Sequence, residues 1–280
     1  MKTILLPTDF SENSWNAIKY AIRFFNGSPC SFYLLHVNRL NNFIEGDKPY
    51  LPTRDFIEDL YIKPSKKALR AILKRISSDL DLNPDHKFYT LTDYGFFIES
   101  IRKHVAEKKI DLIIMGTKGA TGLRERIVGS NTGDVITKVK CTTLVVPEEA
   151  NYQQLKEIAF PTDFALSYGM ETLQPLSELL ADTKAFLRIL HISKREEELN
   201  DNQKANKELL EDYFDDIDHD FHFLTNKKVE DAVQCFVESR GIDMITMVAK
   251  NLNYFQQILF HSKVEKISYH IEVPFLVLHE

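Results

Sequence analysis

The stretch from Gly116 to Ser130 reads GTKGATGLRERIVGS, which sets Gly116, Gly119 and Gly129-Ser130 in a Gly-x2-Gly-x9-Gly-Ser spacing. An apolar run, Asp111-Leu-Ile-Ile-Met115, precedes it, and a helix-like stretch ending near Lys138 follows. Half of the chain's ten glycines (Gly116, Gly119, Gly122, Gly129 and Gly133) fall in this short window. Glycine admits positive φ and lets another group approach the backbone closely. A strand, a glycine-rich loop and a helix start aim several unpaired N–H groups at one place, where the helix dipole favours an anion. The implied chemistry is phosphate binding, and the expected ligand is a nucleotide.

The loop lacks the Gly-Lys-Ser/Thr ending of a Walker A sequence and the Gly-x-Gly-x-x-Gly of a dinucleotide fold. Gly116 and Gly119 are expected to allow close backbone approach, with Gly129 and Ser130 opening the helix whose N–H groups and hydroxyl meet phosphate oxygens. Lys118, Arg124 and Arg126 bring positive charge, although a solvated loop explains the two arginines equally well. Asp9, just past the first apolar run, is suited to accept hydrogen bonds from ribose hydroxyls. Asp is also common where helices begin; with a phosphate loop expected nearby, the ligand role is preferred.

The elements that must position these residues come from a chain of 280 residues, 44% hydrophobic and 27% charged, long enough for one large domain or two medium ones. A net charge of −6 argues against a nucleic acid or an anionic membrane as main partner. No stretch approaches the roughly 20 apolar residues that span a bilayer, so a cytoplasmic protein is expected. Cys30, Cys141 and Cys235 lie far apart without metal-ligand spacing and read as buried reduced thiols.

The chain repeats itself. Lys2-Thr-Ile-Leu-Leu-Pro-Thr-Asp-Phe10 recurs as Lys156-Glu-Ile-Ala-Phe-Pro-Thr-Asp-Phe164, and Phe32–Val37 recurs as Phe186–Ile192 with one residue of slippage. Asp111–Met115 is echoed by Asp243–Met247, and Ile136–Val146 aligns without a gap on Ser268–Leu278. The copies are residues 1–148 and 153–280, joined by Glu148-Glu-Ala-Asn-Tyr152. The first is longer by an irregular insertion, Asn41–Pro52, rich in turn-formers, a lid over a ligand or simple decoration.

Short β-like runs alternate with helical patterns in each copy, the signature of βαβ units and a parallel sheet. In the first copy strands are expected near 2–7, 31–37, 86–91, 110–115 and 142–147. Helices are expected from a Ser11 cap to a stop at Gly27, from Pro64 to Leu80, and from Phe96 to Glu107. Ligands of open parallel sheets bind beyond the carboxyl ends of strands, where strand order reverses. Both Thr8-Asp9 and the glycine loop follow such ends.

Pro7-Thr8-Asp9 after the first strand, His36-Val37 ending the second, and Met115-Gly-Thr-Lys-Gly119 with nine residues before Gly129-Ser130 resemble an ATP-binding universal stress protein, here as a tandem pair. The resemblance implies strand order 3-2-1-4-5, the adenine nucleotide alpha hydrolase-like arrangement. It also implies pairing through the last strands, so that the two copies form an internal pseudo-dimer, a homodimer being the intermolecular counterpart. It places Asp9 at the ribose, the Val37 backbone at adenine, and Gly116, Gly119, Gly129, Ser130 and Asn131 at the phosphates. Pro7, Thr8, Met115, Lys118 and Thr132 complete the expected site. Mg²⁺ or Mn²⁺ is the cation expected beside ATP, although no protein ligand for it is evident.

The second copy departs from this pattern: Gly116 becomes Val248, Gly119 becomes Asn251 and Gly129 becomes His261, with only Ser262 in register. That half is read as structural or regulatory. Three functions follow: a nucleotide-dependent sensor, a slow ATPase, or a scaffold for an unknown protein partner. Efficient hydrolysis is not expected, because the acids near the loop, Glu125 and Asp134, read as an outward loop acid and a helix-surface acid. His36 and His191 share one strand-end position and read as satisfied structural histidines.

Overall fold

The computed structural model describes residues 1–39, 44–45, 48–49, 53–117, 129–195, 197–250 and 272–280. The first half runs β1 (Lys2–Pro7), α1 (Glu12–Phe24) and β2 (Cys30–Arg39), followed by two short strands, β3 (Ile44–Glu45) and β4 (Lys48–Pro49). It continues with α2 (Arg54–Ile57), a π-helical turn (Glu58–Ile62), α3 (Lys63–Asp79), β5 (Lys87–Gly95), α4 (Phe97–Lys108), β6 (Leu112–Gly116), α5 (Ser130–Lys138) and β7 (Thr143–Val146). The second half contains β8 (Glu157–Pro161), α6 (Met170–Thr183), β9 (Phe186–Ser193), α7 (Asp201–Tyr213), β10 (His219–Thr225), α8 (Val229–Arg240), β11 (Met244–Val248) and β12 (Phe275–Leu278).

Ten strands form one sheet in the order β10-β9-β8-β11-β12-β7-β6-β1-β2-β5. Each half is parallel and ordered 3-2-1-4-5. The halves meet where β12 pairs antiparallel with β7, Leu276 opposite Leu144. The expected internal pseudo-dimer is thus a continuous sheet whose seam lies between the two last strands.

Strands buried on both faces read as unbroken apolar runs, which is why Ile4-Leu-Leu6 and Leu112–Met115 were legible as strands. One core cluster covers a single face across both halves, from Ile4 and Trp15 through Leu144 and Leu276 to Phe160 and Phe214. On the opposite face, separate clusters sit under α4 and α5 and under α8.

Three local expectations are corrected. The helical path to Asp79 begins at Thr53, whose side chain caps α2, about ten residues ahead of Pro64. Proline lacks the N–H that closes a regular turn, and the wider π turn just ahead of Pro64 carries the helix past it. Gly27 does not stop α1 through a left-handed turn. The helix ends at Phe25, whose N–H bonds Ala21 O, and positive φ among the described glycines is confined to Gly95 and Gly241. Cys30 and Cys141 are buried, and burial raises both thiols, Cys141 to about 12, whereas Cys235 is exposed. The 41–52 insertion lies outside the described residues apart from β3 and β4.

Candidate functional site

β1 lies between β2 and β6, so the crossovers leave it in opposite directions and a crevice opens at its carboxyl end. Thr8 N donates to Leu35 O at 2.8 Å, the last backbone bond between β1 and β2. With a period of two, the N–H and C=O of Val37 face the same side as those of Leu35, beyond the end of β1. The acceptor that this N–H would meet next, Thr8 O, is bonded instead by His36 Nδ1 at 2.8 Å. The polar backbone of Val37 therefore looks into the crevice, and its side chain packs on the core cluster under α4.

The Thr8–Ser14 corner is tied together tightly. Thr8 is 6% exposed, and its hydroxyl bonds Ser14 Oγ at 2.9 Å and accepts from Phe10 N at 3.1 Å. Asp9 Oδ1 accepts from Ser11 N at 3.1 Å and Ser11 Oγ at 2.6 Å, while Ser11 caps α1 as expected. Pro7 is buried at the end of β1 and Met115 is in the core. At this corner Asp9 alone carries a half-buried carboxylate.

Across the crevice, α5 begins at Ser130 with Gly129 as N-cap and no side-chain cap, so its first-turn N–H groups are offered outward. Gly129 N bonds Thr117 O, closing the glycine loop at its base. Ser130 is exposed, and Asn131 Oδ1 accepts from Arg39 NH2 at 2.8 Å. Arg39 was not singled out in the sequence, where a lone arginine at a strand end carries no signal; here it bridges the β2 end and the α5 start. Thr132 is 2% exposed, and its hydroxyl donates to Gly116 O at 2.8 Å. Thr132 thus ties α5 to β6 and its hydroxyl does not face the crevice. Lys118, Gly119, Arg124, Glu125 and Arg126 lie outside the described residues. Asp134 pairs with Lys138 at 2.8 Å on the helix surface, as expected of it.

Gly116 has a packing role that its spacing does not announce. A Cβ built there would lie 2.3 Å from Asn13 Oδ1 and 3.3 Å from Asn13 O. The glycine makes room for a buried asparagine of the same chain, whose amide has no partner among the described residues. No sequence pattern links positions 103 residues apart, so Asn13 was missed.

The second half repeats the corner. Thr162 Oγ1 meets Tyr168 Oη at 3.0 Å and accepts from Phe164 N at 3.1 Å, and Thr162 N donates to Leu190 O. His191 Nδ1 bonds Thr162 O at 3.1 Å and stacks on Phe164, as His36 stacks on Phe10. Both histidines are satisfied structural residues, and burial lowers the His191 pKa. Val248 is buried at the end of β11; Asn251, His261 and Ser262 lie outside the described residues. Among the described residues no cluster of three His, Cys, Asp or Glu side chains could hold a metal, and no helix is long and apolar enough to cross a membrane.

The fold and crevice define a tandem pair of open parallel α/β units, one of which opens a crevice between the end of β1 and the start of α5. Residues 1–147 match the model of the Universal stress protein family, and the chain belongs to that family. It is 30% identical over 145 residues to Universal stress protein MJ0531 of Methanocaldococcus jannaschii, covering 52% of this chain and 81% of that one. A universal stress protein from Archaeoglobus fulgidus shares the fold over 98% of this chain and 95% of its own, with TM-score 0.67 and 18% identity. A putative universal stress protein from Pseudomonas aeruginosa does so over 99% and 93%, with TM-score 0.56 and 12% identity.

Proposed function

We propose that this chain is a cytoplasmic adenine-nucleotide sensor with one ATP site, in residues 1–148, and a partner domain, residues 153–280, that holds no second phosphate cradle. The observation that carries the reading is the convergence at the switch point of the Val37 backbone, unpaired toward β1 among the described residues, and the start of α5, which has no side-chain cap. The first offers a donor and an acceptor to the edge of a base; the second offers N–H groups to phosphates. Asp9 stands between them for the ribose, and Ser130 and the Arg39–Asn131 pair line the phosphate end. Gly119 and Lys118 belong to the same reading through the loop spacing.

Binding to the native state alone stabilises it in proportion to ligand occupancy, which gives a sensor its output without turnover. The surface pairing of Asp134 supports a role outside metal binding, and slow hydrolysis is the minor activity this reading allows. Mass spectrometry on the supernatant of heat-denatured, freshly purified protein tests the proposal. About one ATP per chain is expected. ADP in its place points to hydrolysis, and a protein that is empty and also fails to bind added ATP with Mg²⁺ or Mn²⁺ overturns the reading in favour of a scaffold. Gly119→Val is expected to abolish binding with the fold retained; unchanged affinity would remove the loop from the site.

A further inference from the structure

A second cavity, of about 940 Å³, lies in the seam between the halves, at the amino ends of β6 and β11 and away from the crevice. Its floor is apolar and crosses the seam: Leu112, Leu144, Leu276 and Met244 come from β6, β7, β12 and β11, consecutive strands of the sheet. The wall from the first half is the end of α1, where Phe24 lies edge-on to Phe25 at 4.8 Å and to Tyr152 of the connecting segment at 5.7 Å. These three rings are only half-buried. The opposite wall is α6, whose charged side chains there are all acidic, Glu171, Glu178 and Asp182, beside neutral Gln174 and Leu179.

The two walls differ because the repeats have diverged. Counted from the Pro-Thr-Asp motif, Phe24 corresponds to Glu178 and Phe25 to Leu179. Four carboxylates, including Asp111 at the rim, surround the cavity against three cations, the side chains of Lys2 and Arg23 and the ammonium of Met1. Lys2 is paired across the seam with Glu178 at 3.3 Å. Glu171 and Asp182 are exposed and form no ion pair among the described residues. Ligand cavities run from about 300 to 1,000 Å³ and favour domain interfaces. Half-buried aromatic rings and carboxylates lining one cavity suit a cation with an apolar body, held by ring faces and by charge.

We infer that this seam groove binds an organic ammonium ion carrying an aromatic or apolar body. The claim is independent of the nucleotide site. It is tested with 9-aminoacridine, a planar cation, titrated by fluorescence into the full chain, with 1-anilinonaphthalene-8-sulfonate as the anionic comparator. One 9-aminoacridine per chain is expected, with the anionic dye at least about tenfold weaker, as removal of favourable charge contacts implies. Glu171→Gln and Asp182→Asn should each lower affinity about two- to fivefold, the range of exposed ion pairs, and added salt should do the same. Gln174→Trp, which fills the groove from an exposed position on α6, should abolish binding with an unchanged circular dichroism spectrum. Should that variant misfold, the two exposed charge variants decide the matter alone. Absence of 9-aminoacridine binding, equal binding of the anionic dye, indifference to the charge variants, or displacement by ATP would each overturn the inference.

Discussion

The side chain of Asn13 occupies the space that any residue other than glycine would need at position 116. Gly116→Ala forces that buried amide to move, and overpacking of this kind costs about 1–3 kcal/mol. Asn13→Ala in the same chain should restore much of the loss, read as a coupling energy in urea denaturation of the four cycle members. The second half holds the complementary choice, with Ser167 and Val248 at the matching positions. If Gly116 serves packing alone, the double variant keeps its ATP affinity; if ligand also approaches Gly116, affinity falls while stability is rescued.

Phe10 and Phe164 both stand in the left-handed region, at φ 66° and 55°, and stack on His36 and His191. A residue with a Cβ is strained there by roughly 1–2 kcal/mol. Phe10→Gly should therefore be more stable than Phe10→Ala by about 1 kcal/mol, the reverse of their order at an ordinary position. Equal thermal midpoints for the two variants would contradict the conformation.

Asp111 Oδ2 accepts from Thr3 N at 2.7 Å, and Asp243 Oδ2 accepts from Lys156 N at 2.7 Å, so one carboxylate ties the first and fourth strands at the amino end of each half. Charge-assisted bonds of this kind are worth about 1.5–3 kcal/mol. Asp111→Ala and Asp243→Ala should each lose stability in that range, or toward its lower end because the bonds are exposed. The two losses should add, since the sites share no partner.

Acid should destabilise the protein before its carboxylates titrate. Burial first, and then Lys140, depress the pKa of His279 to about 4, and burial lowers His86, His191 and His222 in the same direction. Above the unfolded pKa of about 6.5 these groups are neutral in both states and their contribution is complete. As pH falls toward the folded pKa, the unfolded chain takes up protons that the folded chain refuses, and stability is lost. His279 alone should remove about 2 kcal/mol between pH 7 and pH 5. Urea midpoints at the two pH values measure the loss, and His279→Gln should shrink it by that amount.

The elements of the sheet were readable because their apolar runs are short, dense and repeated. Lys2–Phe10 against Lys156–Phe164 also revealed that the chain is two copies of one plan. The residues that shape the site were less readable, and for physical reasons. Gly116 looks like a ligand glycine because spacing records that a side chain is missing but not what fills the gap. The bond from the Thr132 hydroxyl to Gly116 O joins two elements across the glycine loop and leaves no mark in the spacing. A phenylalanine at positive φ is invisible to propensity, since the stacking partner that holds Phe10 there lies on another strand. The path before Pro64 was lost because proline ordinarily marks a helix start, whereas here a π turn leads into Pro64 and α6 runs straight through Pro175.

The seam at β7 and β12 turns an encounter between two chains into a property of one. Because the connecting segment holds both last strands together, their pairing does not weaken on dilution, and the outer rims of the sheet, β5 and β10, are the edges left for any further strand addition. Nor must the two faces of the seam be copies of each other, as they must across the axis of a symmetric dimer. Each half is free to accept mutations that its twin never carries, so one ligand site can be surrendered in one half while the other keeps the shared sheet intact.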